Sequence, residues 1–286
     1  MLKNIMRQLE VITALVIAAS ATTNAALEVI GSGYARTGTD TLRTALNELG
    51  YKTYHMKEII QGKLLSDIHD WIALAENNCS DVEALKDLFE RGGWTATVDF
   101  PSTMCWEALT RIYPDAKVIH SERKSEEEWW DSASNSVTII HTKFPLNIMN
   151  RVLPFWRTKR EMLNAIWSAC AGKKVSDSDP GWPSVYKSDF LAAYSANNQR
   201  VRQVVPSERL LIQDHSKGWT LLADFLGKDV PNTPYPHRNT RVEFIRFAHR
   251  LSAMVILTAV VIIALAVFII KKIGQVSVKG KTNKTE

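Results

Sequence analysis

Leu27-Glu28-Val29-Ile30-Gly31-Ser32-Gly33-Tyr34-Ala35-Arg36-Thr37-Gly38-Thr39-Asp40-Thr41-Leu42 is the stretch whose reading decides the fold. An apolar strand enters a glycine-bearing loop, and the loop opens a helix. In that helix Leu42, Ala45, Leu46 and Leu49 share one face, and Gly50 is a good stop. Strand, loop and helix in this order turn successive backbone N–H groups and a positive helix end toward one point, the physics of phosphate capture. Gly33 and Gly38 have the GxxxxG spacing of a nucleotide-binding loop, but Thr39 and Asp40 follow where Lys and Ser/Thr are required. Loss of the lysine and of the magnesium-binding hydroxyl argues against ATP or GTP hydrolysis. Arg36, inside the loop, restores a positive charge. Gly31 and Gly33 also give the GxG of a dinucleotide fingerprint. The third glycine should fall where Arg36 sits, and the second strand finishes in His55 rather than an acidic residue. An NAD-dependent oxidoreductase is therefore a minor alternative, beside a purely structural glycine turn.

Outward from the loop, short apolar runs alternate with helical periodicity. Strands are expected at residues 27–32, 52–55, 95–99, 117–121 and 210–213, and helices at 39–49, 106–113, 126–135 and 218–226. The pattern predicts an α/β fold, a P-loop NTPase-like three-layer sandwich with a mainly parallel sheet. Residues 144–183 hold four prolines and three tryptophans and break the βαβ rhythm. They read as an insertion over the sheet, a lid on the acceptor side.

Both ends of the chain speak to membranes. Residues 251–270 carry no charge and are rich in Val, Ile, Leu and Ala; twenty helical residues at ~1.5 Å each cross roughly 30 Å of hydrocarbon. At the start, Lys3 and Arg7 precede the apolar residues 11–19, and Thr23-Asn24-Ala25 fits a small-x-small cleavage rule. Residues 1–25 thus read as a secretory signal peptide, with an amphipathic or buried helix as the alternative. Four arginines (Arg238, Arg241, Arg246, Arg250) precede the apolar run and five lysines (Lys271, Lys272, Lys279, Lys281, Lys284) follow it in the basic tail 271–286. Loop charge therefore barely orients the helix. With a signal peptide the protein is a single-pass membrane protein whose domain is luminal or extracellular, and Asn78-Cys79-Ser80 is a usable glycosylation sequon. Without one it is tail-anchored with a cytosolic domain.

Composition sets further bounds. The 286 residues are 45% hydrophobic, ample for one catalytic-size core. Lys+Arg exceed Asp+Glu by only 35 to 30, and with neither a basic stripe nor base-stacking motifs nucleic acid is not an expected partner. Cys79, Cys105 and Cys170 have no CxxC spacing, so a zinc site is not indicated. They read as buried thiols, or as one disulfide plus a thiol in an oxidising compartment.

The motif from Gly33 to Thr39, with Thr41-Leu42, resembles the G-x-x-R-T-G-T-x-S-L loop of a group of P-loop sulfotransferases, Thr41 replacing Ser. Similarity continues in order through Tyr54-His55-Met56, Thr97-Val98-Asp99-Phe100-Pro101, Tyr113-Pro114-Asp115-Ala116-Lys117-Val118-Ile119, Pro206-Ser207-Glu208-Arg209-Leu210-Leu211, Gly218-Trp219, Phe225-Leu226-Gly227 and Tyr235-Pro236-His237-Arg238-Asn239. Members of this group often carry an NAD-dependent epimerase/dehydratase label, which the loop disfavours. The resemblance implies a sulfotransferase domain over residues 26–245, with 3′-phosphoadenosine 5′-phosphosulfate as donor, no metal, and an unidentified hydroxyl (or amine) acceptor. By that resemblance Arg36, Thr37, Gly38, Thr39, Asp40 and Thr41 hold the phosphosulfate. Arg123, after the strand at 117–121, and a serine further on hold the 3′-phosphate. The serine's nominal position is Asp131, but one extra residue among Ser125–Glu128 brings Ser132 into its place, and the group's Asp-Pro is Lys124-Ser125 here. A catalytically silent P-loop membrane protein is the alternative that these departures leave open.

Sulfuryl transfer needs in-line positioning, charge stabilisation and a base for the acceptor proton. Arg36 is the charge stabiliser. Asp99, ending an apolar strand just before Pro101, is the first choice of base, because carboxyl ends of parallel strands face the binding crevice. His55, ending the neighbouring strand, is the second. His215 and Lys217 are further candidates for donor contact.

Overall fold

The computed structural model describes residues 26–62, 64–238 and 241–282. The expected signal peptide lies outside the described residues. In chain order the elements are β1 (Val29–Gly31), α1 (Thr39–Glu48), β2 (Thr53–Tyr54), α2 (Met56–Ile60), α3 (Asp67–Glu76), α4 (Val82–Arg91), β3 (Ala96–Thr97), α5 (Trp106–Ile112), β4 (Lys117–His120), α6 (Glu126–Ser134), α7 (Ile139–Thr142), α8 (Leu146–Val152), α9 (Pro154–Ala171), α10 (Lys187–Val204), β5 (Leu210–Ile212), α11 (Gly218–Leu226) and α12 (Arg241–Thr282). The fold is α/β, and the five expected strands are all present, each shorter than its apolar run. Helices α2, α3, α4, α7 and α10 have no counterpart in the expected pattern. Residues 144–183 are largely helical rather than irregular.

The chain divides into two compact units, Met1–Glu122 with Ser195–Pro236, and Arg123–Tyr194 with His237–Glu286. The first holds the sheet, in the order β2-β3-β1-β4-β5 with every pairing parallel. The chain runs from the central β1 to β2 and β3 on one side and then crosses to β4 and β5 on the other, and the carboxyl end of the strand at such a switch point is where open α/β sheets bind ligands. Successive strand residues face opposite sides. Val29, Ala96, Ile119 and Leu211 lie under Leu42, Leu46, Trp219 and Leu222 from α1 and α11. Tyr54, in register with Thr97, points to the other side. There its ring meets Trp71, Phe89 and Trp94, and its hydroxyl donates to Asp67 while accepting from the Trp71 indole.

Cys79, after α3, is bonded to Cys105, just before α5, with Cα atoms 5.5 Å apart. Both are buried, and Cys170 takes no part in the bridge. The bridge spans 26 residues, a loop whose closure restricts the unfolded chain by about 3 kcal/mol. Cys79→Ser should therefore lower the melting temperature by several degrees, read in a thermal melt; reductant should shift the wild type equally and the variant not at all.

In the second unit the Asp177 carboxylate ties together α7, α9 and the loop after α9. It meets His141 Nδ1 at 2.9 Å and accepts from Arg160 Nε at 2.7 Å and Asn164 Nδ2 at 3.2 Å. Burial pushes this carboxyl up, but the three hydrogen bonds outweigh it and hold it well below the usual range. Ile140, Leu146 and Met149 pack around Ala248 at the start of α12. Val242–Lys272 of α12 is long and apolar enough to cross a membrane and contains the expected uncharged run 251–270.

Candidate active site

The loop after β1 is held from below by main-chain and hydroxyl contacts. The Thr103 hydroxyl lies 3.1 Å from the Gly33 carbonyl and donates to it, and the Asn197 side-chain amide donates to the Ser32 carbonyl at 3.0 Å. Thr37 Oγ1 donates to the Tyr34 carbonyl and stands 2.7 Å from Ser121 Oγ at the end of β4. A Cβ on Gly33 would sit 2.3 Å from Ser121 Oγ and 2.5 Å from the Ser121 carbonyl oxygen, so the loop lies directly on the β4 backbone. Gly38 has φ +95°, and a Cβ there would meet His215 Nε2 at 2.3 Å. Gly33→Ala must lift the loop off β4, because main chain cannot yield as a flexible side chain can. The expected cost is about 2 kcal/mol or more, measured as a lower denaturation midpoint.

Gly38 caps α1 without a side-chain hydrogen bond. The first-turn N–H groups have no intrahelical acceptor by geometry and point with the helix dipole out of the loop. Arg36 is buried in the left-handed region at φ 72°, a conformation that a non-glycine residue adopts only when its surroundings enforce it. A buried guanidinium, a capless helix end and two glycines with no space for a side chain make an anion cradle. Thr37 and Thr39 are buried beside it. Asp40, in place of the magnesium-binding hydroxyl, is 2% exposed and pairs with Lys57 Nζ at 2.6 Å and Arg43 Nη1 at 3.6 Å. A neutralised carboxylate offers an anion no donor, so what Asp40 can lend the cradle is its main-chain N–H.

Asp99 and His55, from the ends of the adjacent strands β3 and β2, come together: His55 Nε2 is 3.3 Å from Asp99 Oδ2. The N–H is not aligned for a hydrogen bond, and neither His55 Nε2 nor Asp99 Oδ1 has a hydrogen-bond partner among the described residues, although both are buried. His55 Nδ1 accepts the Lys57 main-chain N–H at 3.0 Å, so the neutral ring carries its proton on Nε2, toward Asp99. Burial, then the charges of Arg43 and Lys57, push His55 well below the usual histidine range and keep it neutral. Burial pushes Asp99 up to about 7, opposed by hydrogen bonds from the Phe100 main chain and the Thr39 side chain and by the Arg36 charge. Asp99 also has φ 71°, a second enforced left-handed residue at the carboxyl end of the sheet. Of the two candidate bases, then, one has its acceptor nitrogen consumed and the other titrates near neutrality with an oxygen unspent.

Arg123 and Ser132 belong to the second unit. The Tyr194 hydroxyl accepts the Arg123 main-chain N–H at 2.8 Å, and the Tyr194 ring stacks on Trp129 at 4.4 Å. Arg123 Nη1 lies 3.3 Å from Glu128. On α6 Trp129 and Ser132 share the buried face, whereas Asp131 is exposed.

Sequence reasoning missed Ser121, Thr103 and Lys57. The first two had a weak signal, hydroxyls just beyond β4 and β3; Lys57 had none. His215, named only as a further candidate, sits against Gly38 and has its Nδ1 3.0 Å from the Tyr235 hydroxyl.

A glycine loop at the carboxyl end of the central strand of a 2-3-1-4-5 parallel sheet, with neither the Walker lysine nor the hydroxyl that follows it, defines a P-loop-type α/β protein outside the nucleotidase pattern. Within that class the chain belongs to the sulfotransferase domain family, whose model matches residues 28–244. It is similar to Ava biosynthesis cluster protein M of Aspergillus versicolor, 29% identical over 215 residues that cover 74% of this chain and 80% of that protein.

Proposed function

We propose that this sulfotransferase moves a sulfuryl group from 3′-phosphoadenosine 5′-phosphosulfate to a hydroxyl acceptor, with Asp99 as the general base. The observation that carries the reading is the buried Asp99 carboxyl beside the anion cradle, pushed up to about 7 with Oδ1 unspent. A base so placed is half-ionised at working pH. The donor's phosphosulfate lies against Arg36 and the N–H groups of Thr37 to Thr41, and Arg123 and Ser132 take its 3′-phosphate. The acceptor hydroxyl gives its proton to Asp99 Oδ1 as its oxygen bonds to sulfur. The bond from sulfur to the 5′-phosphate oxygen breaks, and 3′-phosphoadenosine 5′-phosphate leaves. His55, fixed at Nδ1, stands beside Asp99 as a neutral ring, and Arg36 stabilises charge on the leaving phosphate. Calorimetry of the purified chain with 3′-phosphoadenosine 5′-phosphate tests the donor, with micromolar binding expected; no binding at millimolar ligand sinks the reading. Normal binding with no labelled sulfate passed to any member of a broad acceptor panel would favour the silent alternative.

The Cys79–Cys105 bridge supports an oxidising compartment, hence a luminal or extracellular domain and a cytosolic lysine tail. Asn78 and Ser80 of the sequon are exposed at the turn after α3. Expressed in cells, the chain should lose apparent mass on glycosidase treatment and Asn78→Gln should not. An unglycosylated chain with reduced cysteines would place the domain in the cytosol.

A further inference from the structure

The second unit carries large apolar side chains in the open, next to the apolar helix. Phe144, in the turn before α8, is 71% exposed; Ile148 and Val152, one helical turn apart on α8, are 51% and 66% exposed, and Leu153 follows at 46%. Lys143 and Arg151 flank them and are exposed as well. Exposed large apolar side chains grouped along one short helix, with charge on either side, are the composition of an interaction surface.

Its position within the unit says with what. The buried face of α8 packs through Leu146 and Met149 onto the cluster that also takes Leu251 and Val255 of α12. Those are the first and fifth residues of the twenty-residue uncharged run, so they lie within about 6 Å of its start. Whatever packs on them stands at the depth where headgroups meet acyl chains. Half-buried Trp156 belongs to the same cluster, and an indole is the side chain that this boundary favours. An apolar stripe edged with lysine and arginine is the composition of a surface lying in the membrane plane.

We propose that Phe144, Ile148, Val152 and Leu153 form an in-plane lipid contact, seated in the bilayer boundary beside α12, with Lys143 and Arg151 at the lipid phosphates. The proposal rests on the reading that α12 crosses the membrane. It goes beyond that reading, since a span on a flexible stalk would leave this face in water.

The test uses the full-length chain with Cys170→Ser, in phosphatidylcholine–phosphatidylserine nanodiscs. An environment-sensitive fluorophore is attached at Ile148→Cys, Val152→Cys or, as a reporter of the span itself, Val260→Cys. Labels at 148 and 152 should emit several-fold more brightly than in water and be quenched most by lipids brominated near the carbonyl. The label at 260 should be quenched most by bromine deep in the acyl chain. Solvent-like emission at 148 and 152 with the 260 label deep would overturn the lipid contact and leave the span standing. Shielded labels at 148 and 152 that no brominated lipid quenches would assign the face to a protein partner instead, also overturning it. A solvent-like label at 260 would remove the span and the proposal together.

Discussion

Asp99→Asn should cut sulfuryl transfer by about three orders of magnitude and at the same time raise the melting temperature. The two effects share one cause. Asp99 is held in a folded environment that pushes its carboxyl from 3.8 up to about 7, so ionising it there costs free energy that ionising it in the unfolded chain does not. The folded value lies above the unfolded one. Its stabilising contribution is therefore complete below about pH 4 and is lost as pH rises through 7, a loss of at most about 4 kcal/mol. Asparagine has the same shape, cannot ionise, and tolerates the left-handed region better than most residues, so the φ of 71° is no obstacle. The stability gain should be larger at pH 8 than at pH 5. Donor affinity should change only a few-fold, because Asp99 faces the acceptor proton rather than the phosphates. In the wild type kcat/KM should rise with pH with unit slope below about 7 and then level, His55 being neutral throughout. An Asn variant that kept a tenth of the activity would remove Asp99 from the base's role.

How much of this was legible in the sequence differs between the sheet and its cover. The β1–α1 unit announced itself because three glycines and an amphipathic helix leave few other conformations. The strand ends at His55 and Asp99 followed from apolar runs, but their 3.3 Å approach depends on β2 lying beside β3, a pairing that no local pattern encodes. The 144–183 stretch misled through its prolines. Pro154 opens α9 at its first turn, where the missing N–H costs nothing, and Gly172 closes it at φ 63°. What read as disruption was helix punctuation. Helix α3 had a fair signal in the spacing of Ile68, Trp71, Leu74 and Ala75, and was missed because no glycine or strand framed it. Contacts such as Ser121 on Gly33 or His215 on Gly38 join residues more than eighty positions apart and are tertiary by nature.

Arg36→Ala should weaken binding of 3′-phosphoadenosine 5′-phosphate about 100-fold, read by calorimetry on a variant whose melting curve shows it folded. The magnitude follows from losing charge-assisted hydrogen bonds, each about 1.5–3 kcal/mol. Arg36→Lys should recover only part of it, because an ammonium cannot present the planar fork. Arg36 also lowers the Asp99 pKa through its charge. Removing that charge should therefore move the acidic limb of the kcat/KM profile to higher pH, while Lys at the same position should leave it near 7. This second readout separates two ways in which the variant can fail. Lost affinity with an upward-shifted profile means that one guanidinium serves both the donor and the base. Lost affinity with an unmoved profile means that Arg36 acts on the donor alone and that burial by itself sets Asp99. Affinity within three-fold of wild type would show that the donor's phosphosulfate is held elsewhere than in the loop at 31–41.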